Sequence, residues 1–123
     1  EWTIDYTNER KAFGKTISDF QNTRFKLAEI KAEAVIQRVF VDKCIELLLA
    51  NELSAETGAV AKLRTTEAMC QALDDCLQLF GGYGYMWEYP IGKAWADNRF
   101  ARIAGGSSEI MKEIISRNLT GRR

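Results

Sequence analysis

Three short segments of this 123-residue chain set glycines beside polar, charged or aromatic side chains, where a ligand could approach bare backbone. The first is Arg10-Lys11-Ala12-Phe13-Gly14-Lys15, with Gln21 beyond it. It places a guanidinium and an aromatic ring at a helix end. It can equally be a solvated basic terminus capped by Gly14. The second is Gln78-Leu79-Phe80-Gly81-Gly82-Tyr83-Gly84-Tyr85-Met86-Trp87-Glu88-Tyr89-Pro90, in which Gly81, Gly82 and Gly84 lead into an aromatic cluster and the chain's one proline. One glycine stops a helix, because it takes positive φ without steric cost. Three imply that something approaches the bare backbone; the alternative is a glycine-rich hairpin packed by its own aromatics. The third is Ala104-Gly105-Gly106-Ser107-Ser108-Glu109-Ile110-Met111. Ser107 or Ser108 can N-cap a final helix and Glu109 suits its first turn. The free N–H groups there can face a polar or anionic ligand, or the segment is an ordinary capped helix start.

The elements that position these segments read as helices. Trp2, Tyr6 and Phe13 recur at helical spacing, so a first helix is expected to run to about Phe13 and stop at Gly14. Ser18 or Asp19 is expected to cap a long second helix ending at Asn51. Phe20, Leu27, Ile30, Ala34, Val41, Cys44, Ile45 and Leu48 form one apolar stripe on it; Phe25, Ala28, Ala32, Val35 and Val39 form another. Two such faces imply a central position, or one face kept for another subunit. Ser54 caps a third helix, with Glu56 in its first turn, that continues to the glycines. Pro90 begins a short fourth to about Asn98, and the fifth ends before Arg117. Short connections between long amphipathic helices give an all-α fold, an up-and-down antiparallel bundle of four-helix type. The chain opens at Glu1 with helical spacing already under way, so a single domain over 1–123, cut from a longer protein, is expected.

Composition removes several functions. The 17 Lys and Arg balance the 17 Asp and Glu, which argues against a nucleic-acid surface or an electrostatic membrane anchor. With no histidine there is no His-based triad or His metal site. Cys44, Cys70 and Cys76 lack zinc or redox spacing. On one helix Cys70 and Cys76 would lie roughly 9 Å apart along the axis, beyond the disulfide limit of about 7 Å. Reduced thiols in an intracellular protein are expected. No run is long and apolar enough for a signal peptide or membrane span.

Together and in this order the segments resemble the C-terminal helical domain of the acyl-CoA dehydrogenases. The resemblance rests on Arg10-x-x-Phe13-Gly14, Gln21, Gln78-x-x-Gly81-Gly82-x-Gly84 and Gly106-Ser107-x-Glu109-Ile110. Gly84-Tyr85-Met86-Trp87-Glu88-Tyr89-Pro90-Ile91 and the tail from Glu109 to Arg117 look most like the long-chain branch. The resemblance covers nearly the whole chain. It implies FAD as cofactor, an acyl-CoA substrate, α,β-dehydrogenation of the thioester, a homo-oligomer (dimer or tetramer) and electron-transfer flavoprotein as acceptor. It also implies a cytoplasmic location in a bacterium or the mitochondrial matrix in a eukaryote.

Carried over residue by residue, Arg10 would contact the FAD pyrophosphate of a neighbouring subunit, Phe13 would pack beside its nucleotide half and Gln21 would reach the adenosine. Gln78, Gly81 and Gly82 would line the adenine–pyrophosphate side. Ser107 and Glu109 would bind the FAD of their own subunit. Glu109 departs from the glutamine common in related branches and can accept but not donate. Gly106 would offer its N–H to the thioester carbonyl. In many members the catalytic glutamate stands where this chain has Gly105, so the base is expected upstream of Glu1 and the isolated segment is expected to be inactive. Glu88, set among aromatics, is the one acid in the chain worth watching, and Asp97 with Arg99 reads as a helix-end ion pair. Two other readings use the same residues: a non-catalytic helical module that binds no flavin, and an acyl-CoA oxidase-type domain.

Overall fold

A computed structural model describes residues 1–121. Five α-helices carry the fold: α1 (Trp2–Glu9), α2 (Gln21–Leu49), α3 (Ala55–Phe80), α4 (Pro90–Arg99) and α5 (Ser108–Thr120). α3 is the hub, packing against α1, α2, α4 and α5. The centre therefore belongs to α3, not to α2 with its two apolar stripes. Ala59 and Leu63 of α3 bury against Met111 of α5, flanked by Ile114 and Ile115.

Local chemistry sets most boundaries. Asn51 takes φ +59 after α2. Asn51 N–H donates to Leu48 O (3.1 Å) and Glu52 N–H to Leu47 O (2.8 Å), the paired bonds of a Schellman stop. Ser54 Oγ accepts from Thr57 N–H at 3.0 Å and starts α3. Gly81 ends α3 at φ +58, and Pro90 is the first residue of α4.

Three expectations fail. α1 ends at Glu9, and Lys11–Ala12 pairs antiparallel with Lys15–Thr16 in a two-residue hairpin. Its turn residues are Phe13 (φ +54) and Gly14 (φ +81), so Gly14 completes a hairpin turn and caps no helix. The buried side of α1 is Thr3 and Thr7, and Trp2 is exposed. Second, Asp19 does not cap α2; with Thr16 it closes a capping box on the 3-10 turn Ile17–Asp19, and Phe20 precedes α2 without a side-chain cap. Third, α5 runs on through Arg117 to Thr120, where Gly121 at φ +65 stops it.

The second α2 stripe, Phe25, Ala28, Ala32, Val35 and Val39, lies wholly exposed, as do Ile36, Ile45, Leu48 and Leu49. Cys44 is buried, and all three cysteines are free thiols. Among the described residues, no helix is long and apolar enough to cross a membrane.

Candidate functional site

The end of α3 faces the end of α1 across an open cleft of about 720 Å³. Arg10, Gln78, Gly81 and Gly82 line it with Tyr6, Ile17 and Tyr83. Four of the residues singled out from sequence are thus brought together from chain positions far apart. Stacked aromatics hold this end. Tyr6 lies on Phe80 with ring centroids 4.1 Å apart and donates its hydroxyl to Phe80 O at 3.1 Å. Tyr83 stacks on Tyr89 at 5.3 Å. Burial pushes the Tyr6 phenol above its ordinary pKa; the Arg10 charge opposes this, while Tyr89 and Tyr83 add to it.

Arg10 is fixed along its backbone. Its N–H donates to Tyr6 O at 2.8 Å and its carbonyl accepts from Ile17 N–H at 2.9 Å. Arg38, Arg64, Arg102 and Arg117 each pair with a carboxylate. Arg10 is in no ion pair among the described residues, and its guanidinium instead lies 5.1 Å from the Tyr83 ring centre.

The three glycines divide the work. Gly81 supplies the positive φ that ends α3. Gly84 has no room for a side chain: a Cβ there would sit 2.6 Å from Leu77 O. The close approach at this position is therefore internal. Gly82 has neither constraint, and a Cβ at Gly81 or Gly82 would meet nothing within 4 Å. Those two bare stretches of backbone open toward the cleft, where a flat or phosphorylated ligand could lie against them.

Phe13 and Gln21 stand apart from the cleft lining. Phe13 is 95% exposed at the hairpin tip, edge-on to Phe20 at 6.4 Å. A bulky residue at positive φ is strained, so the backbone is held out of its comfortable region to present a ring to solvent. Gln21 is exposed on the first residue of α2.

Ser107, Glu109 and Gly106 form a separate constellation at the start of α5. Lys62 Nζ donates to Gly106 O. From Lys62 to Gln78 along α3 is roughly 24 Å, so the two constellations cannot grip the same small group. Glu109 is exposed; its carboxyl is held below the ordinary range by its own backbone N–H, then by the Ser107 hydroxyl, with Lys112 and Arg102 adding. The N–H groups at this helix start are therefore partly answered by the chain's own carboxylate. Gly105 takes φ +64, where a side chain would be strained. Glu88 is exposed, not wedged among aromatics, and no ion pair joins Asp97 to Arg99 among the described residues. Sequence reading missed Tyr6, Tyr83 and Lys62 as site residues. The first two were visible only as apolar spacing and as part of an aromatic run.

The chain is similar in sequence and fold to known proteins. The acyl-CoA dehydrogenase C-terminal domain profile matches residues 1–120. The mitochondrial long-chain specific acyl-CoA dehydrogenase of Sus scrofa is 44% identical over 97% of this chain, which spans 28% of that protein's length. The crystal structure of an acyl-CoA dehydrogenase from Geobacillus kaustophilus superposes with a TM-score of 0.94 at 39% identity, over 97% of this chain and 31% of that one. A glutaryl-CoA dehydrogenase from Mycobacterium smegmatis in complex with FADH2 superposes at 0.93 and 27% identity, over 98% of this chain and 31% of that one.

Proposed function

This chain belongs to the acyl-CoA dehydrogenase family, and from that membership we propose that the enzyme carrying it dehydrogenates an acyl-CoA thioester between Cα and Cβ with bound FAD. The cleft supports the cofactor reading. A dinucleotide needs a fixed cation at its pyrophosphate and bare backbone where it lies close, and Arg10, in no ion pair among the described residues, stands beside the open Gly81 and Gly82. Bound there, FAD would supply the two-electron acceptor for the hydride that leaves the β-carbon.

The chain's own residues then bind and orient. Arg10 holds the pyrophosphate of a neighbouring subunit's FAD, Gln78 with Gly81 and Gly82 lines its adenine side, and Phe13 and Gln21 reach its nucleotide half. Ser107 and Glu109 serve the second site, at the start of α5. Gly106 N–H faces the thioester carbonyl and stabilises the charge that develops there; the Lys62 ammonium on Gly106 O steadies the peptide that follows. Gly105 carries no side chain, so the carboxylate that takes the α-proton comes from elsewhere in the enzyme. That base must be dry enough for its pKa to rise toward neutrality.

Assembly belongs to the same proposal. The domain exposes 8643 Å², about 2,000 Å² more than the roughly 6,700 Å² of a compact monomer of 13.9 kDa. Further copies of the enzyme cover the exposed α2 stripe, and an electron-transfer flavoprotein would serve as electron acceptor.

Flavin titration of the whole enzyme tests the reading. A charge-assisted contact contributes about 1.5–3 kcal/mol, so Arg10→Ala weakens FAD binding by about ten- to a hundredfold. Gln78→Ala costs about 1 kcal/mol. Saturating FAD restores much of the rate in both. An unaltered dissociation constant in Arg10→Ala removes the cofactor role.

A further inference from the structure

We propose that Tyr83 is a positioning residue for cofactor binding: its ring is the platform that holds the Arg10 guanidinium in the orientation the pyrophosphate requires. The inference rests on the FAD reading of the cleft and adds to it a residue the binding motifs leave unassigned.

The geometry runs from the fold outward. Pro90 starts α4 and so sets Tyr89 as the residue that precedes it. Tyr89 stacks on Tyr83 with the ring planes 21° apart, and Tyr6 meets Tyr83 edge-on at 89° with centroids 6.5 Å apart. Two neighbours at right angles restrict the Tyr83 ring in both tilt and slide. The Arg10 guanidinium lies over that ring, 5.1 Å from its centre. A ring face attracts the guanidinium without neutralising its charge, and a guanidinium stacked on it keeps its in-plane N–H donors free. A carboxylate partner would instead occupy those donors and cancel the charge. The platform therefore orders a flexible side chain without neutralising it, and less rotamer freedom remains to be lost when the ligand arrives. Because Arg10's backbone is already pinned by Tyr6 and Ile17, the side chain is the remaining freedom.

The test is a double-mutant cycle in FAD affinity, measured by flavin fluorescence on the flavin-stripped whole enzyme. Tyr83→Leu keeps bulk but loses the ring face, and weakens FAD binding about two- to fivefold, the range of an exposed cation–ring contact. Tyr83→Phe keeps the face and stays within twofold of the parent. In the Arg10→Ala background Tyr83→Leu has no further effect, because nothing is left to position. If Tyr83→Leu fails to fold, Tyr83→Gln is read in the same way. An equal penalty in both backgrounds, or a Tyr83→Phe loss as large as that of Tyr83→Leu, overturns the platform while leaving the cleft's FAD role intact. An Arg10→Ala protein that binds FAD as tightly as the parent overturns the cleft reading itself.

Discussion

Replacing Phe13 with asparagine should stabilise the fold and impair the cofactor site at once. Phe13 and Gly14 take φ +54 and +81 between Ala12 and Lys15, which are paired in the hairpin. Positive φ at both central positions is the type I′ geometry, for which Asn-Gly is the favoured pair. An ordinary L-residue in the left-handed region costs roughly 1–2 kcal/mol, and asparagine relieves much of that. The ring is 95% exposed, so its loss forfeits almost no burial. Only the edge-on contact with Phe20 at 6.4 Å is given up, at about 0.5 kcal/mol. The net gain is about 0.5–1.5 kcal/mol, or about 2–6 °C in Tm for a domain of this size. Denaturant unfolding must use flavin-free protein, because bound ligand adds its own stabilisation. FAD titration of the same variant should show binding about fivefold weaker, the loss of roughly 1 kcal/mol of aromatic contact. A destabilised Phe13→Asn protein would refute the strain argument. A stabilised protein with unchanged FAD affinity would show that the ring is not presented to the cofactor.

Two neighbouring glycines should respond in opposite ways. Gly84→Ala drives a Cβ to 2.6 Å from Leu77 O and should cost about 1–3 kcal/mol of stability. Gly82→Ala meets nothing within 4 Å and should change stability by under about 0.5 kcal/mol while weakening FAD binding; equal melting losses in both would contradict this division. The hairpin base should loosen in acid. The Thr16 hydroxyl (2.7 Å) and then the Thr16 N–H (2.9 Å) hold the Asp19 carboxyl below its ordinary 3.8. Its folded pKa is thus the depressed one, so the contribution is complete above about the ordinary value and is lost as pH falls through the folded pKa. Amide exchange at Thr16 should rise over that interval and show no such step in Asp19→Asn. The exposed α2 stripe should drive self-association, and a single monomeric species in sedimentation at high micromolar concentration would count against it.

Where one helix stops and the next begins was largely legible, because those signals act within a few residues. Ser54 caps α3, Gly81 ends it, Asn51 ends α2 and Pro90 begins α4, each through the backbone geometry its own side chain or ring permits. The family motifs were legible for a related reason: Arg10, Gln78, Gly81, Gly82 and Gly106 are chemically specific types at set spacings. The hairpin was not. Trp2, Tyr6 and Phe13 share a helical period, and Phe-Gly carries none of the Asn-Gly signal that marks a type I′ turn. The Ile17 N–H bond to Arg10 O belongs to this arrangement and is invisible to local propensity. The same holds for the glycines. Composition reported three in four residues, but only packing decided that Gly84 accommodates Leu77 O while Gly82 stays open. The site itself is tertiary in origin. Arg10 shares a cleft with Gln78 and lies over Tyr83 because the aromatic cluster seats the end of α1 on the end of α3. Such contacts depend on how distant faces pack, and no local pattern encodes which exposed ring a distant guanidinium will lie upon.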